Sequence, residues 1–203
     1  MDITIITTGT LRCRKELLEP GSGNETVSVP VRCILLEHRG KFVLFDTGQL
    51  PPEQPQRPDA PFIICVSESE SCAARVRGLG IADKIDFIIL SHAHRDHSAG
   101  LRDFPGMRTL IQRREAESAA GRELLRHYPQ QWELIDGKFD IFGDGSAFAV
   151  PTYGHTPGHQ SLLAGKTLYA IDAAYTSRAA ATAAELKEYR DNGFTIVPGH
   201  PLE

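Results

Sequence analysis

The chain has few cysteines, four among 203 residues, and no two of them form a C-x-x-C pair. The spacing of Cys13, Cys33, Cys65 and Cys72 matches neither a zinc knuckle nor a disulfide framework. We therefore expect reduced, mostly buried thiols in a cytoplasmic protein.

The sequence also lacks long apolar runs. No segment approaches the ~18 consecutive apolar residues that a membrane-spanning helix needs. The first residues, Met1-Asp2-Ile3, include an acid and lack the basic region and apolar core of a signal peptide. We expect neither a membrane partner nor export.

Basic residues are not in excess either. The 22 Lys and Arg stand against 26 Asp and Glu, which gives a net charge of −4. A nucleic-acid partner is not expected, because it would normally require a basic patch. A length of 203 residues, with 41% hydrophobic and 24% charged residues, predicts one soluble domain over residues 1–203. The oligomeric state stays open, with a homodimer as one alternative.

Strand patterns outnumber helical ones along the chain, which predicts sheets covered by helices. A proline-rich loop is expected over residues 50–61, and helices over residues 67–79, 113–128 and 179–191. The predicted strands cover residues 2–7, 29–37, 41–45, 86–90, 108–112, 132–135, 139–142, 147–151, 161–164, 167–171 and 194–197.

One strand pattern occurs twice in the sequence. Residues 41–46 and 166–172 each form an apolar strand that ends by presenting an aspartate, Asp46 in one and Asp172 in the other. Two similar halves facing each other would bring these strand ends to one edge of the molecule.

The strongest chemical signal is the segment His92-Ala93-His94-Arg95-Asp96-His97, directly after a predicted buried strand. An extended backbone points His92 and His94 to the same side, whereas Asp96 and His97 diverge. Imidazole and carboxylate groups are the usual ligands of zinc and related ions. By chance such a pattern occurs on the order of once per thousand chains of this composition. We interpret it as a metal site.

Other histidines lie at predicted strand ends and next to Gly or Pro. His155 and His159 belong to Gly154-His155-Thr156-Pro157-Gly158-His159, and His200 follows Pro198-Gly199. His38 and His127, in a turn and a polar helix, are expected at the surface.

Together, His92, His94, Asp96, His97, His155, Asp172 and His200 resemble the ligand set of the metallo-β-lactamase superfamily. The resemblance covers nearly the whole chain. Within the superfamily it is similar to the N-acyl homoserine lactonases, through residues 156–162, Tyr175 three residues after Asp172, and the strand entry at residues 29–33. It implies an α/β fold, a four-layer αβ/βα sandwich of two mixed sheets with helices on the outer faces.

The resemblance also implies roles. His92, His94 and His155 would hold one ion, Asp96, His97 and His200 a second, and Asp172 would bridge them with a hydroxide. Zinc is the expected metal, with Mn, Co or Fe as alternatives. The implied reaction is the opening of a lactone ring of N-acyl homoserine lactones, which is quorum quenching. Asp96 would pass a proton to the leaving alkoxide.

Three further residues have two readings each. Asp46 orients a ligand histidine from beneath or stabilises the turn at Thr47-Gly48. His159 acts behind the ligands or, as we favour, closes a local turn. Tyr175, as the resemblance implies, stabilises the developing oxyanion, or it is an ordinary partly buried tyrosine.

The resemblance is incomplete in two segments, because residues 172–200 and the loop after Gly48 are shorter than the lactonase pattern implies. Other hydrolases of the same fold therefore remain alternatives: a glyoxalase II-like thioesterase, which should have a further helical segment after its last ligand, and a β-lactamase, which usually lacks the bridging aspartate. An iron-dependent persulfide dioxygenase is an alternative from another reaction class. A nuclease and a non-catalytic binding module are the least expected.

Overall fold

A computed structural model of the protein describes residues 1–202. Twelve strands lie in this part of the chain: β1 (Asp2–Arg14), β2 (Thr26–His38), β3 (Lys41–Phe45), β4 (Phe62–Cys65), β5 (Ile85–Ile89), β6 (Arg108–Gln112), β7 (Gln131–Ile135), β8 (Phe139–Asp140), β9 (Ala147–Pro151), β10 (Gln160–Ala164), β11 (Thr167–Ile171) and β12 (Thr195–Pro198). The α-helices are α1 (Cys72–Gly78), α2 (Arg95–Ser98), α3 (Arg113–Ala116), α4 (Ala119–His127), α5 (Ser177–Thr182) and α6 (Lys187–Asp191).

The strands form two sheets. The larger sheet has the order β4-β1-β2-β3-β5-β6-β7, and the smaller has the order β12-β11-β10-β9-β8. Both are mixed, since β3, β5, β6 and β7 pair in parallel in the first and β11 pairs in parallel with β12 in the second. The other pairs are antiparallel.

The central strands are buried on both faces because the two sheets pack against each other and helices cover their outer sides. Successive side chains of a strand point to opposite faces. In β3, Val43 and Phe45 therefore join the cluster between the sheets, and Leu44 joins the cluster under α1 and α4. On the outer face of the smaller sheet, Leu168 packs with the helical residue Ala180.

The predicted four-layer sandwich of two mixed sheets with outer helices is therefore confirmed. Cys13, Cys33 and Cys72 are buried, as expected, whereas Cys65 is exposed, and all four thiols are free. In residues 1–202, no helix combines the length and the apolar character needed to cross a bilayer.

All three predicted helices are wrong as single elements. The helix predicted over residues 67–79 begins only at Cys72, because Ser71 has a ψ of 153° and its hydroxyl caps α1 by accepting from the N–H of Ala74. The helix predicted over residues 113–128 is divided into α3 and α4, because Ser118 is extended and its hydroxyl caps α4 by accepting from the N–H of Gly121 at 2.9 Å. The helix predicted over residues 179–191 is divided at Ala183, whose ψ of 125° is not helical.

Three strand predictions also need correction. The strand predicted over residues 2–7 continues to Arg14, because residues 10–14 also pair with β2. The strand β4 was missed; its four residues pair with β1 at the edge of the larger sheet and show little alternation of burial. The strand predicted over residues 139–142 ends at Asp140, because the carboxylate of Asp140 accepts from the N–H groups of Gly143 and Gly145 and turns the chain.

Candidate metal centre

All seven predicted ligands come together at one edge of the sandwich. They lie directly or shortly after the carboxyl ends of four strands. His92 and His94 follow β5, and Asp96 and His97 lie in α2. His155 follows β9, Asp172 follows β11 and His200 follows β12. Loops after strand ends commonly build such sites, because the rigid sheet fixes where each loop begins.

Four ligand atoms form what we call the first ligand group: His92, His94, His155 and Asp172. The Nε2 atom of His155 lies 3.0 Å from Nδ1 of His94 and 3.2 Å from Nε2 of His92. Oδ2 of Asp172 lies 3.3 Å from His155 Nε2 and 3.7 Å from His92 Nε2. His94 is exposed, and His155 is half-buried.

The second ligand group consists of Asp96, His97, Asp172 and His200. The Nε2 atoms of His97 and His200 each lie 3.2 Å from Oδ1 of Asp172. Oδ2 of Asp96 lies 3.5 Å from His97 Nε2 and 3.7 Å from His200 Nε2. His97 and His200 are 1% and 2% exposed, so this group is more buried than the first.

Asp172 joins the two groups, with one carboxylate oxygen in each. The residue before it, Ile171, has a φ of 51°. This left-handed conformation is costly for a β-branched residue and is typical of functional turns. Asp46 also has a positive φ of 64° at the end of β3. The repeated strand design therefore ends in two strained turns, and both aspartates reach the ring of His97, from opposite sides.

Three of the imidazole rings have a defined proton position. Nδ1–H of His97 donates to Oδ2 of Asp46 at 2.8 Å, and Nδ1–H of His200 donates to the carbonyl of Pro30 at 2.7 Å. Since the Ser91 hydroxyl donates to Asp46 at 2.8 Å, it accepts from Nδ1–H of His92 at 2.9 Å. Each of these rings therefore directs an unprotonated Nε2 at the ligand groups.

The resulting cluster consists of acceptors and fits a pair of divalent cations. His97 Nε2 and Asp172 Oδ1 are buried and lie close together, yet neither has a hydrogen-bond partner within the described chain. Buried polar atoms normally have a hydrogen-bond partner, so these two acceptor atoms indicate a position where a cation binds. Ligand bonds of about 2.0–2.1 Å in a tetrahedral zinc site place ligand atoms about 3.3 Å apart. Most of the distances above lie near that value.

The electrostatics of the cluster agree with this reading. Burial raises the pKa of Asp172, but His97 and His200 outweigh it and hold that pKa well below its ordinary value. Burial holds the pKa of His92 well below its ordinary value. Burial lowers the pKa of His97 too, but the carboxylates of Asp172 and Asp96 outweigh it and hold that pKa well above its ordinary value. Asp172 is therefore ionised and His92 neutral, the forms that bind metal ions, and a bound cation would displace the proton that these carboxylates draw to His97 Nε2.

Asp46 lies beneath the ring of His97 and at the end of β3, next to both of the features that its two predicted roles name. It is fully buried, and besides accepting from His97 and the Ser91 hydroxyl it accepts from the Ser91 N–H at 2.7 Å. Its backbone makes the tight turn into Thr47-Gly48. The carboxylate thus contacts the ring of a candidate ligand, while the backbone of the same residue forms the turn.

His159 lies behind the first ligand group. Its ring centroid is 5.1 Å from that of His92, and its Nδ1 lies 2.9 Å from the hydroxyl of Thr152. Burial lowers the pKa of His159 to about 3. The backbone N–H of Thr152 donates to the His159 carbonyl at 3.0 Å, so this residue closes a local turn as well as packing behind the rings.

Tyr175 lies at the edge of the first ligand group. Its hydroxyl is 3.0 Å from Nδ1 of His155, and its ring stands edge-on to that imidazole. The contact with His155 was not expected from the sequence. Burial and the carboxylate of Asp172 raise the pKa of Tyr175, so its phenol is protonated and can donate a hydrogen bond.

A cavity of about 340 Å³ opens onto both ligand groups and onto Tyr175. Its opposite wall is apolar and consists of Leu11, Leu18, Val29, Phe62 and Ile64. A second cavity, of about 380 Å³, lies beyond His94 and Arg95 and contains only one of the seven candidate ligands. We assign the chemistry to the smaller cavity because the ligand groups face it.

Sequence reasoning missed several supporting residues. The carbonyl of Pro30 and the carboxylate of Glu115 contact the site from positions far away in the chain. Glu115 had no signal of its own, because it lies in a segment rich in Glu and Arg that reads as a solvated helix. The apolar wall comes from β1, the turn after it, β2 and β4, which only the tertiary structure brings together.

A model of the metallo-beta-lactamase superfamily matches residues 28–200. The chain belongs to the metallo-β-lactamase superfamily. Among its curated relatives is the N-acyl homoserine lactonase AttM of Azorhizobium caulinodans, 30% identical over 200 residues, with 85% of this chain and 76% of the relative covered. The N-acyl homoserine lactonase AiiA of Bacillus thuringiensis subsp. kurstaki is 31% identical over 180 residues, with 78% and 68% covered.

Solved structures similar to this chain include an N-acyl homoserine lactone hydrolase with the product N-hexanoyl-L-homoserine bound at its catalytic metal centre. It superposes on this chain with a TM-score of 0.84 at 25% identity, covering 98% of this chain and 92% of the other. The superposition supports the order of layers described above.

Proposed function

We propose that the protein is a dinuclear metal-dependent hydrolase that opens the lactone ring of N-acyl homoserine lactones and so acts in quorum quenching. The observation that carries the proposal is a pair of ligand groups joined by Asp172 at the floor of a cavity whose opposite wall is apolar. The lactonases named above supply the substrate class.

The proposed ligands follow the two groups. His92, His94 and His155 would hold one ion, Asp96, His97 and His200 would hold the other, and Asp172 would be shared between them. Zinc is the proposed metal, because imidazole and carboxylate donors at tetrahedral spacing suit it, although Mn, Co and Fe accept the same donors.

When bound, two such ions lower the pKa of a shared water and supply a nucleophile at neutral pH. Tyr175, whose hydroxyl faces the cavity edge, donates a hydrogen bond to the lactone carbonyl oxygen as negative charge develops there. The apolar wall of the cavity, which includes Leu11, Val29 and Ile64, contacts the acyl chain and excludes water from it.

Asp96 moves the proton. Its side chain is 19% exposed, and it lines the cavity. As the water oxygen bonds to the carbonyl carbon, Asp96 accepts the released proton. When the ring C–O bond breaks, Asp96 delivers that proton to the alkoxide oxygen. The products are an alcohol and a carboxylic acid on one open-chain molecule, and the acid ionises to a carboxylate by releasing its proton to solvent at neutral pH.

Ring opening releases acid, so a pH-indicator assay tests the proposal directly. The substrates are homoserine lactones of several acyl lengths, a set of thioesters and a cephalosporin, and the metal content of each sample is measured in parallel. We expect turnover of the lactones and two ions per chain. A sample with two ions that turns over a thioester but no lactone would replace the proposal with a thioesterase, and a single iron with oxygen consumption would indicate a dioxygenase.

We further propose a cytoplasmic protein in which residues 1–203 act as one domain, without a nucleic-acid or membrane partner. The four free thiols and the net charge of −4 support this. Cell fractionation and light scattering on the purified protein test the location and whether it is a monomer or a homodimer.

A further inference from the structure

Besides Asp46, one more buried carboxylate outside both ligand groups contacts the site, that of Glu115. Glu115 lies in α3, three residues after the end of β6, and is 1% exposed. Its Oε1 accepts from the backbone N–H of Ala93 at 3.0 Å. Its Oε2 accepts from the Thr156 hydroxyl at 2.8 Å and from the N–H of Gly158 at 2.9 Å.

These three donors belong to the two loops that carry the imidazoles of the first ligand group. Ala93 stands between His92 and His94, and Thr156 directly follows His155. One carboxylate therefore ties together two loops that are more than sixty residues apart in the chain. The two loops must keep their spacing if His155 Nε2 is to stay 3.0 Å from His94 Nδ1 and 3.2 Å from His92 Nε2.

The approach of Glu115 is close because residue 158 is a glycine. A Cβ at position 158 would overlap with the backbone nitrogen and Cα of Glu115. The backbone of α3 is thus pressed against the loop after His155. Loss of the carboxylate would leave two buried N–H groups and a hydroxyl without acceptors, which costs free energy and lets the loops separate.

We propose that Glu115 is a positioning residue that sets the spacing of the His92–His94 and His155 loops and thereby the affinity of the first ligand group for its ion. It contacts neither ligand atoms nor substrate. The inference rests on the metal centre assigned under the proposed function.

The test is a metal titration of Glu115→Gln apoprotein against a chromophoric chelator. The amide cannot accept from all three donors, since its NH₂ group faces either Ala93 N–H or the Thr156 and Gly158 donors. We expect the affinity for one ion to fall by about 10–100-fold, as for other residues that support ligands, while the second ion binds as in the wild type. The Co(II) absorption spectrum should change only for the weakened ion.

Variants with a missing ligand assign the two binding events. His94→Ala should remove the weakened event, and His200→Ala the other. In a His94→Ala background, Glu115→Gln should leave the affinity for the remaining ion unchanged. Glu117→Gln, an exposed carboxylate two residues along the chain, is the matched control and should bind both ions normally.

Thr156→Val keeps the test decisive if Glu115→Gln does not fold, because it removes one donor and leaves the carboxylate in place. We expect a loss of a few fold in affinity at the same ion. Equal affinities in wild type, Glu115→Gln and Thr156→Val would overturn the positioning role. If the wild type itself does not bind two ions, the proposed metal centre fails instead.

Discussion

The two ligand groups share Asp172 but are held in different ways. In the second group, His97 and His200 are almost fully buried, and each Nδ1–H donates directly to a carboxylate or a carbonyl. In the first group, His94 is exposed, and the spacing of the rings depends on backbone contacts through Glu115. The second group is therefore the more preorganised site, and the first is the more accessible one, although both line the cavity where substrate would bind.

The largest expected effect comes from the shared residue. Asp172→Ala removes an oxygen from each group, so we expect both ions to be lost and lactone turnover to fall at least about 1,000-fold, in line with loss of the nucleophile. Metal analysis and the pH-indicator assay measure this. Asp2→Asn, at an exposed position of β1, is the control. Retention of one tightly bound ion by Asp172→Ala would show that the groups do not depend on a shared ligand.

Removal of the ions should have the next largest effect. If the ions are present at about 1,000 times their dissociation constants, each contributes about 4 kcal/mol to the free energy of unfolding. Chelation should therefore lower Tm, because Asp172 and the other buried acceptors lose their counter-charge. With limiting chelator, the ion of the exposed first group should leave first. Simultaneous release of both ions would contradict the difference between the groups.

Tyr175→Phe tests the role of the cavity edge. Loss of a hydrogen-bond donor to a developing oxyanion should lower kcat by about 100-fold while KM changes little. Because the Tyr175 hydroxyl also contacts His155, a metal titration is needed alongside the kinetics. Unchanged kcat with weakened binding of the first ion would assign Tyr175 to holding the ligand ring and not to the chemistry.

The smallest expected effect is a difference in stability between variants of the two ligand groups, measured in metal-free protein. His97→Ala leaves the buried carboxylate of Asp46 with only its Ser91 donors, whereas His94→Ala changes an exposed side chain. In metal-free protein we expect His97→Ala to be less stable than His94→Ala by about 1 kcal/mol, which corresponds to about 2–4 °C in Tm for a chain of this size. Differential scanning calorimetry measures the difference in Tm between the two variants. Equal Tm values would contradict the conclusion that the second ligand group is the more firmly held.

Much of the candidate site could be predicted from the sequence, because its chemistry is concentrated in short segments. His92, His94, Asp96 and His97 lie within six residues after an apolar strand, and the Gly- and Pro-flanked positions of His155 and His200 point to strand ends. The strand predictions were mostly close for the same local reason. The helix predictions over residues 113–128 and 179–191 were wrong because an extended residue inside each of them outweighs helical composition.

The sequence by itself determined the kind of ligands and their order along the chain, since these follow from residue chemistry. Its strand and helix patterns predicted sheets covered by helices, and the resemblance to the superfamily implied the four layers. Only the tertiary structure decided which atom each ring directs inward, because that depends on partners such as the Pro30 carbonyl, 170 residues away from His200. Burial of Glu115 was likewise decided by packing. A glutamate in a polar helix is indistinguishable in sequence from its solvated neighbours until two loops place three donors around it.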